Sequence, residues 1–224
     1  MVRKSTVPVT QRTPGRKSIK PQQERSTATR EKLIKAAIKV LAKHGYADFT
    51  TSAVADQAKV SRGALQYHFE TRDDILIAAR NSVGADLDLK WSNEELLELS
   101  IPERIRLVVG HYWKVISSPR YIAAIEVRLY ERFNPVMHKT LVSKMNWHTE
   151  QRNNTWALIF SDSGLPREQL ISYRLFVLDT LRGLALRRIE QGPKHDVSPQ
   201  LEILTSLLID RLDQGSSASA EAQS

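Results

Sequence analysis

Residues 49–76 decide the fold of this chain, and their sequence is FTTSAVADQAKVSRGALQYHFETRDDIL. The pattern predicts a short helix over about residues 52–58, a tight turn at residues 59–60 and a second short helix over about residues 62–69. Helices of this length are unstable alone. We therefore expect their apolar side chains to close a small core against a neighbouring helix; these are Val54, Ala55, Ala58, Val60, Leu65 and Phe69.

A longer amphipathic helix precedes this stretch. Its apolar residues recur at spacings of three and four, as in Leu33, Ala36, Ala37, Val40 and Leu41. We expect Thr27 or Thr29 to cap its start and Gly45 to end it. Thr51 and Ser61 stand where the two short helices need N-cap side chains.

The second short helix has an apolar face and a polar face. Leu65 and Phe69 share the first, whereas Gly63, Gln66 and Tyr67 project away from it and Arg62 lies at the flank. A cation, an amide that can pair with adenine, a phenol and a glycine that permits close approach suit a helix in the DNA major groove. Nearby, Lys59 and Arg72 are expected to contact phosphates. The alternative is a merely solvated polar face.

The excess positive charge is concentrated in the N-terminal third. Residues 1–80 carry 16 basic and 7 acidic side chains, whereas residues 81–224 carry 17 and 18, for a formal net charge of +8. This asymmetry is typical of a phosphate-binding module attached to a body with another role. A basic membrane-surface segment and a plain solvated charge run are the alternatives.

Composition excludes several classes of protein. The chain has no cysteine, so it has neither disulfides nor thiolate metal sites. No apolar run approaches the length of a membrane span, and the N-terminus lacks the apolar core of a signal peptide. We expect a cytoplasmic protein, associated with the nucleoid, that has no contact with membranes.

The stretch from Thr29 to Ala79 resembles the helix-turn-helix domain of the TetR (tetracycline-repressor-like) family of bacterial transcriptional regulators. The likeness covers roughly residues 27–80 and rests on the first helix, on Val60-Ser61-Arg62-Gly63 and on Tyr67-His68-Phe69. Two departures are Lys59, where the family usually has Gly, and Gln66, where an aromatic residue is common.

The resemblance implies that the second short helix enters the major groove. It places six residues at or near DNA, namely Thr51, Arg62, Gly63, Gln66, Tyr67 and His68, and it places Arg72 near a phosphate. Together with Lys59 and Ser61 of the turn, these are the predicted DNA-contacting residues. His68 has two open roles, since its imidazole could contact a phosphate or pack against the Leu65 and Phe69 face.

The remaining residues predict an all-α body, because turn signals separate long stretches of helical apolar period. Two final helices, at about residues 167–191 and 199–213, resemble the pair through which the family forms homodimers; the second has Leu201, Leu204, Leu207, Leu208 and Leu212 on one stripe. A two-fold dimer would place two recognition helices on a palindromic operator. Completion of the monomer core is the alternative for these stripes.

The family fold implies a pocket for a small-molecule effector in the body. Tyr112, Arg152 and Trp156 are the candidate effector contacts, since Arg152 lies among apolar neighbours on its helix and could meet an anion. The alternatives are an Arg152 paired with an internal carboxylate, such as Glu126 or Glu131, and a Tyr112 that serves as a core aromatic.

No pattern points to an enzyme. The chain lacks a phosphate-cradling Gly-rich loop, a Gly-x-Ser-x-Gly elbow and a His-Glu-x-x-His motif, and its six histidines have no close ligand spacing. We therefore nominate no catalytic residue, no metal site and no cofactor.

The sequence predicts an all-α protein in four parts. These are a flexible basic arm (1–26), a three-helix DNA-binding domain (27–72), an effector-binding and dimerisation domain (73–214) and a disordered tail (215–224). The expected function is that of a ligand-responsive repressor that binds double-stranded DNA as a homodimer. The alternatives are an activator, a regulator without a ligand, an architectural DNA-binding protein and a protein-interaction module.

Overall fold

The computed structural model describes residues 19–221, with side chains described for residues 23–140 and 147–213. Within this part of the chain the regular structure is helical, without a strand, and the predicted all-α class is confirmed. The helices are α1 (Ile19–His44), α2 (Thr51–Ala58), α3 (Arg62–His68), α4 (Arg72–Ala85), α5 (Asn93–Leu97), α6 (Ile101–Ile116), α7 (Pro119–Glu131), α8 (Pro135–Ile159), α9 (Arg167–Gln191) and α10 (Ser198–Glu221). A single 3₁₀ turn, Ser161–Ser163, lies between α8 and α9.

Helix α1 begins at Ile19, earlier than the predicted start near residue 27. Thr27 and Thr29 do not cap it, because their hydroxyls donate to the carbonyl oxygens of Gln23 and Arg25 at 3.1 and 2.9 Å within the helix. Bonded to the preceding turn, these threonines no longer compete with the helical backbone. The predicted arm is thus helical from residue 19, and residues 1–18 lie outside the described residues.

Helix α10 continues to Glu221, past the end expected at residue 214. A single glycine such as Gly215 costs a helix only about 1 kcal/mol relative to alanine, so it does not have to end one. The predicted disordered tail is therefore helical over residues 215–221, and residues 222–224 lie outside the described part of the chain.

Helices α1, α2 and α3 enclose the small core that their apolar spacing predicts. Leu33, Val54 and Leu65, one from each helix, are at most 2% exposed, and Phe69 closes the end of α3. The cap of α2 is Thr50 rather than the expected Thr51, because the Thr50 hydroxyl accepts the N–H of Ala53 at 3.1 Å.

The body is built mainly from α6, α8, α9 and α10. Its core contains an aromatic cluster in which Tyr112 stacks on Trp156 with ring centroids 6.3 Å apart, and Trp156 contacts Phe160 at 4.7 Å. The leucine stripe predicted on α10 is divided by the structure. Leu204, Leu208 and Leu212 are buried in the core, whereas Leu207 is 50% exposed.

Helix α7 joins the body to the first three helices. Glu126 Oε2 accepts the backbone N–H of Tyr46 at 2.8 Å, and the Tyr130 ring stacks on Tyr46 with centroids 4.2 Å apart. Near its C-terminus, Glu131 forms an ion pair with Arg80 of α4 at 3.5 Å between Nη1 and Oε2. Contacts with α7, together with the packing of α4 on α1, therefore position the three-helix unit against the body.

Candidate nucleic-acid interface

Helix α3 presents a polar surface beside the core that it closes. Leu65 is 2% exposed and faces inward, whereas Tyr67 is 80% exposed and Arg62, Gly63 and Gln66 are also exposed. No heavy atom lies within 4 Å of the position that a Cβ at Gly63 would occupy. These four residues therefore lie on an open surface, as the sequence predicts.

The turn between α2 and α3 is closed by Lys59 in the left-handed conformation, with φ 52° and ψ 51°. The N–H of Lys59 donates to the Asp56 carbonyl at 3.0 Å and that of Val60 to the Ala55 carbonyl at 3.1 Å. This is the Schellman arrangement, in which glycine is usual. The backbone at Lys59 thus adopts a conformation that favours glycine, although the residue is a lysine.

Ser61 caps α3 as predicted, since its hydroxyl accepts the N–H of Ala64 at 3.1 Å. Lys59 and Ser61 are exposed beside α3, whereas Thr51 is half-buried at the start of α2. His68 is half-buried too, and its ring meets Tyr67 edge-on with centroids 5.1 Å apart. The structure thus brings the predicted DNA-contacting residues of the turn and α3 to one side of the three-helix unit.

Arg72 differs from its predicted role as a phosphate contact. Its guanidinium donates to the carbonyl oxygens of Phe49 and Tyr46 at 3.1 and 3.0 Å and to the Tyr46 hydroxyl at 2.5 Å. Its Cζ also lies 4.3 Å from the centroid of the Tyr46 ring. These contacts use three of the five guanidinium N–H groups inside the protein, so Arg72 has a packing role in this structure.

Tyr46 was not identified from the sequence as a functional residue. It lies between Arg72 and α7, and burial is the main reason why the pKa of its hydroxyl rises to about 12. The phenol therefore stays protonated at neutral pH and keeps its contact with Arg72. Nothing local in the sequence distinguishes this tyrosine, because its partners are 26 and 80 residues away.

The three candidate effector contacts do not form one pocket. Tyr112 and Trp156 are 2% and 1% exposed in the aromatic core. Arg152 donates to the Asp88 carboxylate at 2.7 Å and to the Gly84 carbonyl at 2.7 Å, so it is paired with a carboxylate, as the alternative expected, but with Asp88 and not with Glu126 or Glu131. Packing on α4 brings Asp88 to Arg152, and helical periodicity could not indicate that contact.

Two buried nitrogen atoms in this aromatic cluster have no hydrogen-bond partner among the described residues. They are Nε1 of Trp156 and Nε2 of His111. The His111 ring lies edge-on to Trp91, with centroids 5.8 Å apart. Burial is the main reason why the pKa of His111 falls below 6.5, so the neutral imidazole is favoured in the folded protein.

Two cavities of similar size lie elsewhere in the structure. One, of about 300 Å³, lies between the end of α1, α7 and α9; the other, of about 340 Å³, lies between α6 and α10. Neither is lined by Tyr112, Arg152 or Trp156. None of the described helices is long and apolar enough to cross a bilayer.

Two short helices joined by a tight turn, with an exposed polar second helix on a compact three-helix unit, define a DNA-binding helix-turn-helix protein. Residues 33–79 match the family model described as "Bacterial regulatory proteins, tetR family". Residues 33–79 thus carry a helix-turn-helix segment of the TetR type, and the chain is similar to transcriptional regulators of that family.

Individual relatives agree with this family. The regulator CymR of Pseudomonas putida is 24% identical over 182 residues, a match that covers 77% of this chain and 85% of CymR. The probable acrEF/envCD operon repressor of Escherichia coli K12 is 43% identical over 47 residues, or 21% of each chain. The fold is similar to that of the regulator FadR from Bacillus subtilis in complex with stearoyl-CoA, with a TM-score of 0.60, 18% identity and coverage of 80% of this chain and 97% of FadR.

Proposed function

We propose that this regulator is a ligand-responsive repressor that binds a palindromic operator as a homodimer. The single observation that carries the DNA-binding part is the exposed polar surface of α3, with Tyr67 80% exposed above a buried Leu65. The homodimer is supported by the outer faces of α9 and α10. The effector site is supported by buried polar atoms of the body that have no hydrogen-bond partner among the described residues.

The homodimer would form through apolar side chains that the monomer leaves exposed. On α9, Leu175, Leu186 and Ile189 lie on one helical face and are 44%, 42% and 56% exposed. On α10, Ile203 and Leu207 are four residues apart and 61% and 50% exposed. A second copy of the chain would remove both faces from water.

A symmetric dimer explains how so small a recognition helix could select a site. Helix α3 has seven residues and can contact only a few base pairs. Two copies separated by one helical turn of DNA, about 34 Å, would bind the two halves of a palindrome.

Within each half-site, Arg62, Gln66 and Tyr67 are the proposed base-edge contacts, with Gly63 permitting close approach. Lys59 and Ser61 would contact the phosphate backbone from the turn, and Thr51 and His68 would lie at its margin. Arg72 is left out of this set because its guanidinium is bonded internally.

The proposed effector site is the aromatic cluster of the body. The unpaired indole N–H of Trp156 and the adjacent Tyr112 support a ligand that carries a hydrogen-bond acceptor, which would enter when the cluster opens. FadR of Bacillus subtilis, whose fold is similar, is described in complex with stearoyl-CoA. An effector that prefers the conformation with mismatched half-site spacing would release the operator by population shift.

The proposed domain division places residues 27–72 in the DNA-binding part and residues 73–214 in the effector and dimerisation part, with α4 leading from one to the other. We place the protein in the cytoplasm, at the nucleoid. The repressor assignment takes its support from the operon repressor that matches the DNA-binding segment; activation is the alternative.

The deciding experiment is selection of bound duplexes from a random pool at near-physiological salt, with Arg62→Ala/Tyr67→Ala as the matched variant. We expect an enriched palindrome for the natural protein and none for the variant. Binding without enrichment that collapses when salt is added would instead indicate an architectural DNA-binding protein. Transcription from a promoter overlapping the selected palindrome would separate repression from activation.

A further inference from the structure

The cavity between α1, α7 and α9 lies where the DNA-binding unit meets the body. Its volume is about 300 Å³, which suits a small organic molecule. The walls are mostly apolar and include two charged side chains; the lining residues are Ala42, Ser117, Pro119, Ile122, Ala123, Glu126, Ala185, Arg188, Ile189 and Pro193. None of these residues belongs to the aromatic cluster of the body.

The two charges are held by different parts of the structure. The Glu126 carboxylate lies beside the end of α1, where Oε2 accepts the N–H of Tyr46 at 2.8 Å. The Arg188 guanidinium donates to the Pro193 carbonyl at 2.7 Å, and its Cζ lies 5.8 Å from the centroid of the Trp113 ring. Each charge is thus fixed in place and still has hydrogen-bonding capacity toward a ligand.

Between the charges the wall is apolar, formed by Ile122 and Ala123 of α7 and by Ala185 and Ile189 of α9. A ligand with one charge would satisfy one end and leave the other charge facing its apolar part, which is unfavourable. A ligand with a carboxylate at one end and an ammonium group at the other complements both. Ile189 also belongs to the proposed dimer face, so the cavity opens beside that interface.

We propose that this cavity binds a small bipolar amphiphile, with the ligand carboxylate on Arg188, the ligand ammonium on Glu126 and an apolar chain between α7 and α9. The site is separate from the proposed effector site at Trp156. Ligand binding at this site does not depend on the proposed DNA-binding function, but its expected effect on operator affinity does.

That consequence follows from the double role of Glu126. The carboxylate that would receive the ammonium group also holds the backbone of Tyr46, at the loop between α1 and α2. An occupant that draws the carboxylate toward the cavity weakens the link between α7 and the DNA-binding unit. Operator affinity then changes by the differential affinity of the ligand for the two arrangements.

Binding to the full chain can be tested with 8-aminooctanoate by titration calorimetry. Its carboxylate and its ammonium group are joined by seven methylene groups, which complement the apolar wall of the cavity. Octanoate and octylamine, which each carry one of the two charges, are the matched ligands. We expect saturable binding of 8-aminooctanoate and binding about tenfold weaker for each single-charge compound.

Variants assign the site. Glu126→Gln keeps an oxygen that can accept the Tyr46 N–H but removes the charge, and Arg188→Gln removes the other charge. Each is expected to weaken binding of 8-aminooctanoate by about tenfold. Arg106→Gln and Glu202→Gln alter the charged lining of the second cavity and should leave binding unchanged. Melting temperatures of all four variants report whether they fold.

Three results would overturn the proposal: no binding of 8-aminooctanoate, equally tight binding of octanoate or octylamine, or folded Glu126→Gln and Arg188→Gln variants that bind as the natural protein does. Operator affinity measured with and without 8-aminooctanoate then tests regulation. If the protein binds 8-aminooctanoate but selects no DNA sequence, the proposed repressor function is refuted and the ligand site is supported. If it selects a DNA sequence but does not bind 8-aminooctanoate, the ligand site is refuted and the DNA-binding function is supported.

Discussion

The Arg72 guanidinium lies over the Tyr46 ring, with its Cζ 4.3 Å from the ring centroid, and donates to the Tyr46 carbonyl at 3.0 Å. This pair fastens the first residue of α4 to the loop that follows α1. The DNA-binding unit is therefore held together by a polar contact as well as by its apolar core.

We expect Arg72→Ala to lower the free energy of unfolding by about 2–3 kcal/mol, since hydrogen bonds to two backbone carbonyls and a cation–π contact are lost together. Urea unfolding measures the change. Arg120→Ala is the control, because Arg120 and Asp86 form an exposed pair whose loss should cost at most about 1 kcal/mol. If Arg72→Ala left the free energy of unfolding unchanged and reduced the salt dependence of DNA binding, Arg72 would be a phosphate contact instead.

Lys59→Gly should stabilise the protein by about 0.5–1 kcal/mol, because glycine adopts the left-handed conformation at φ 52° without steric cost. The same variant should bind DNA less tightly and reduce the slope of log affinity against log salt by about 1, since one phosphate contact is removed. Thermal unfolding and titrations of a selected duplex at several salt concentrations give the two quantities. Lys59→Ala, which removes the charge but keeps the strained backbone, should show only the second effect.

Gln66→Ala is expected to leave stability nearly unchanged, because the side chain is exposed. It should relax base preference at one position of each half-site by about 1–3 kcal/mol. Repeating the duplex selection with the variant measures this loss. A uniform fall in affinity for every sequence would mean that Gln66 contacts the backbone instead.

Ile203→Glu and Leu207→Glu should convert the proposed dimer into monomers, because each places a charge in an apolar face that a second chain would cover. Sedimentation velocity distinguishes the two states. Leu129→Glu is a suitable comparison, since Leu129 is 57% exposed on α7 and is not part of the proposed dimer faces of α9 and α10. If Leu129→Glu alone dissociated the dimer, the interface would have to lie on another face than the one proposed.

His111 should make the body sensitive to acid. Its folded-state pKa is lowered, chiefly by burial, so below about pH 6.5 the unfolded chain binds a proton that the folded protein resists. Stability is then lost as the pH falls from about 7, by at most about 1.4 kcal/mol per pH unit. The difference in urea stability between pH 7.5 and 5.5 should be smaller in His111→Gln, and an equal difference in both proteins would exclude His111 as the cause.

Local signals in the sequence were sufficient to predict the DNA-binding unit. The two short helices, the cap at Ser61 and the outward position of Gln66 all depend on residues within one or two turns of each other, so periodicity and capping preferences determine them. Thr50 displaced Thr51 as a cap because both can accept the same kind of bond and only backbone geometry decides between them.

Long-range contacts could not be predicted in the same way. The sequence gives no sign that Arg152 meets Asp88, 64 residues away, or that Arg72 turns inward to Phe49. The division of the α10 stripe between Leu204 in the core and Leu207 at the surface likewise depends on which helices pack against it. The candidate effector site was the least well predicted part of the protein, because it depends almost entirely on such long-range contacts.

Helix α4 connects the DNA-binding unit to the body, so a tilt of this helix would move α3. It begins beside α3. Farther along, Arg80 of α4 forms an ion pair with Glu131, and the Gly84 carbonyl accepts a hydrogen bond from Arg152. The segment from Arg72 to Gly84 spans about 18 Å, so a tilt of about 6° about Gly84 would displace the α3 end by about 2 Å. In a symmetric dimer the two displacements add to about 4 Å, slightly more than the 3.4 Å rise of one base pair. A small shift inside the body would thus change the separation of the two recognition helices, so that it no longer matches the spacing of the two half-sites on DNA.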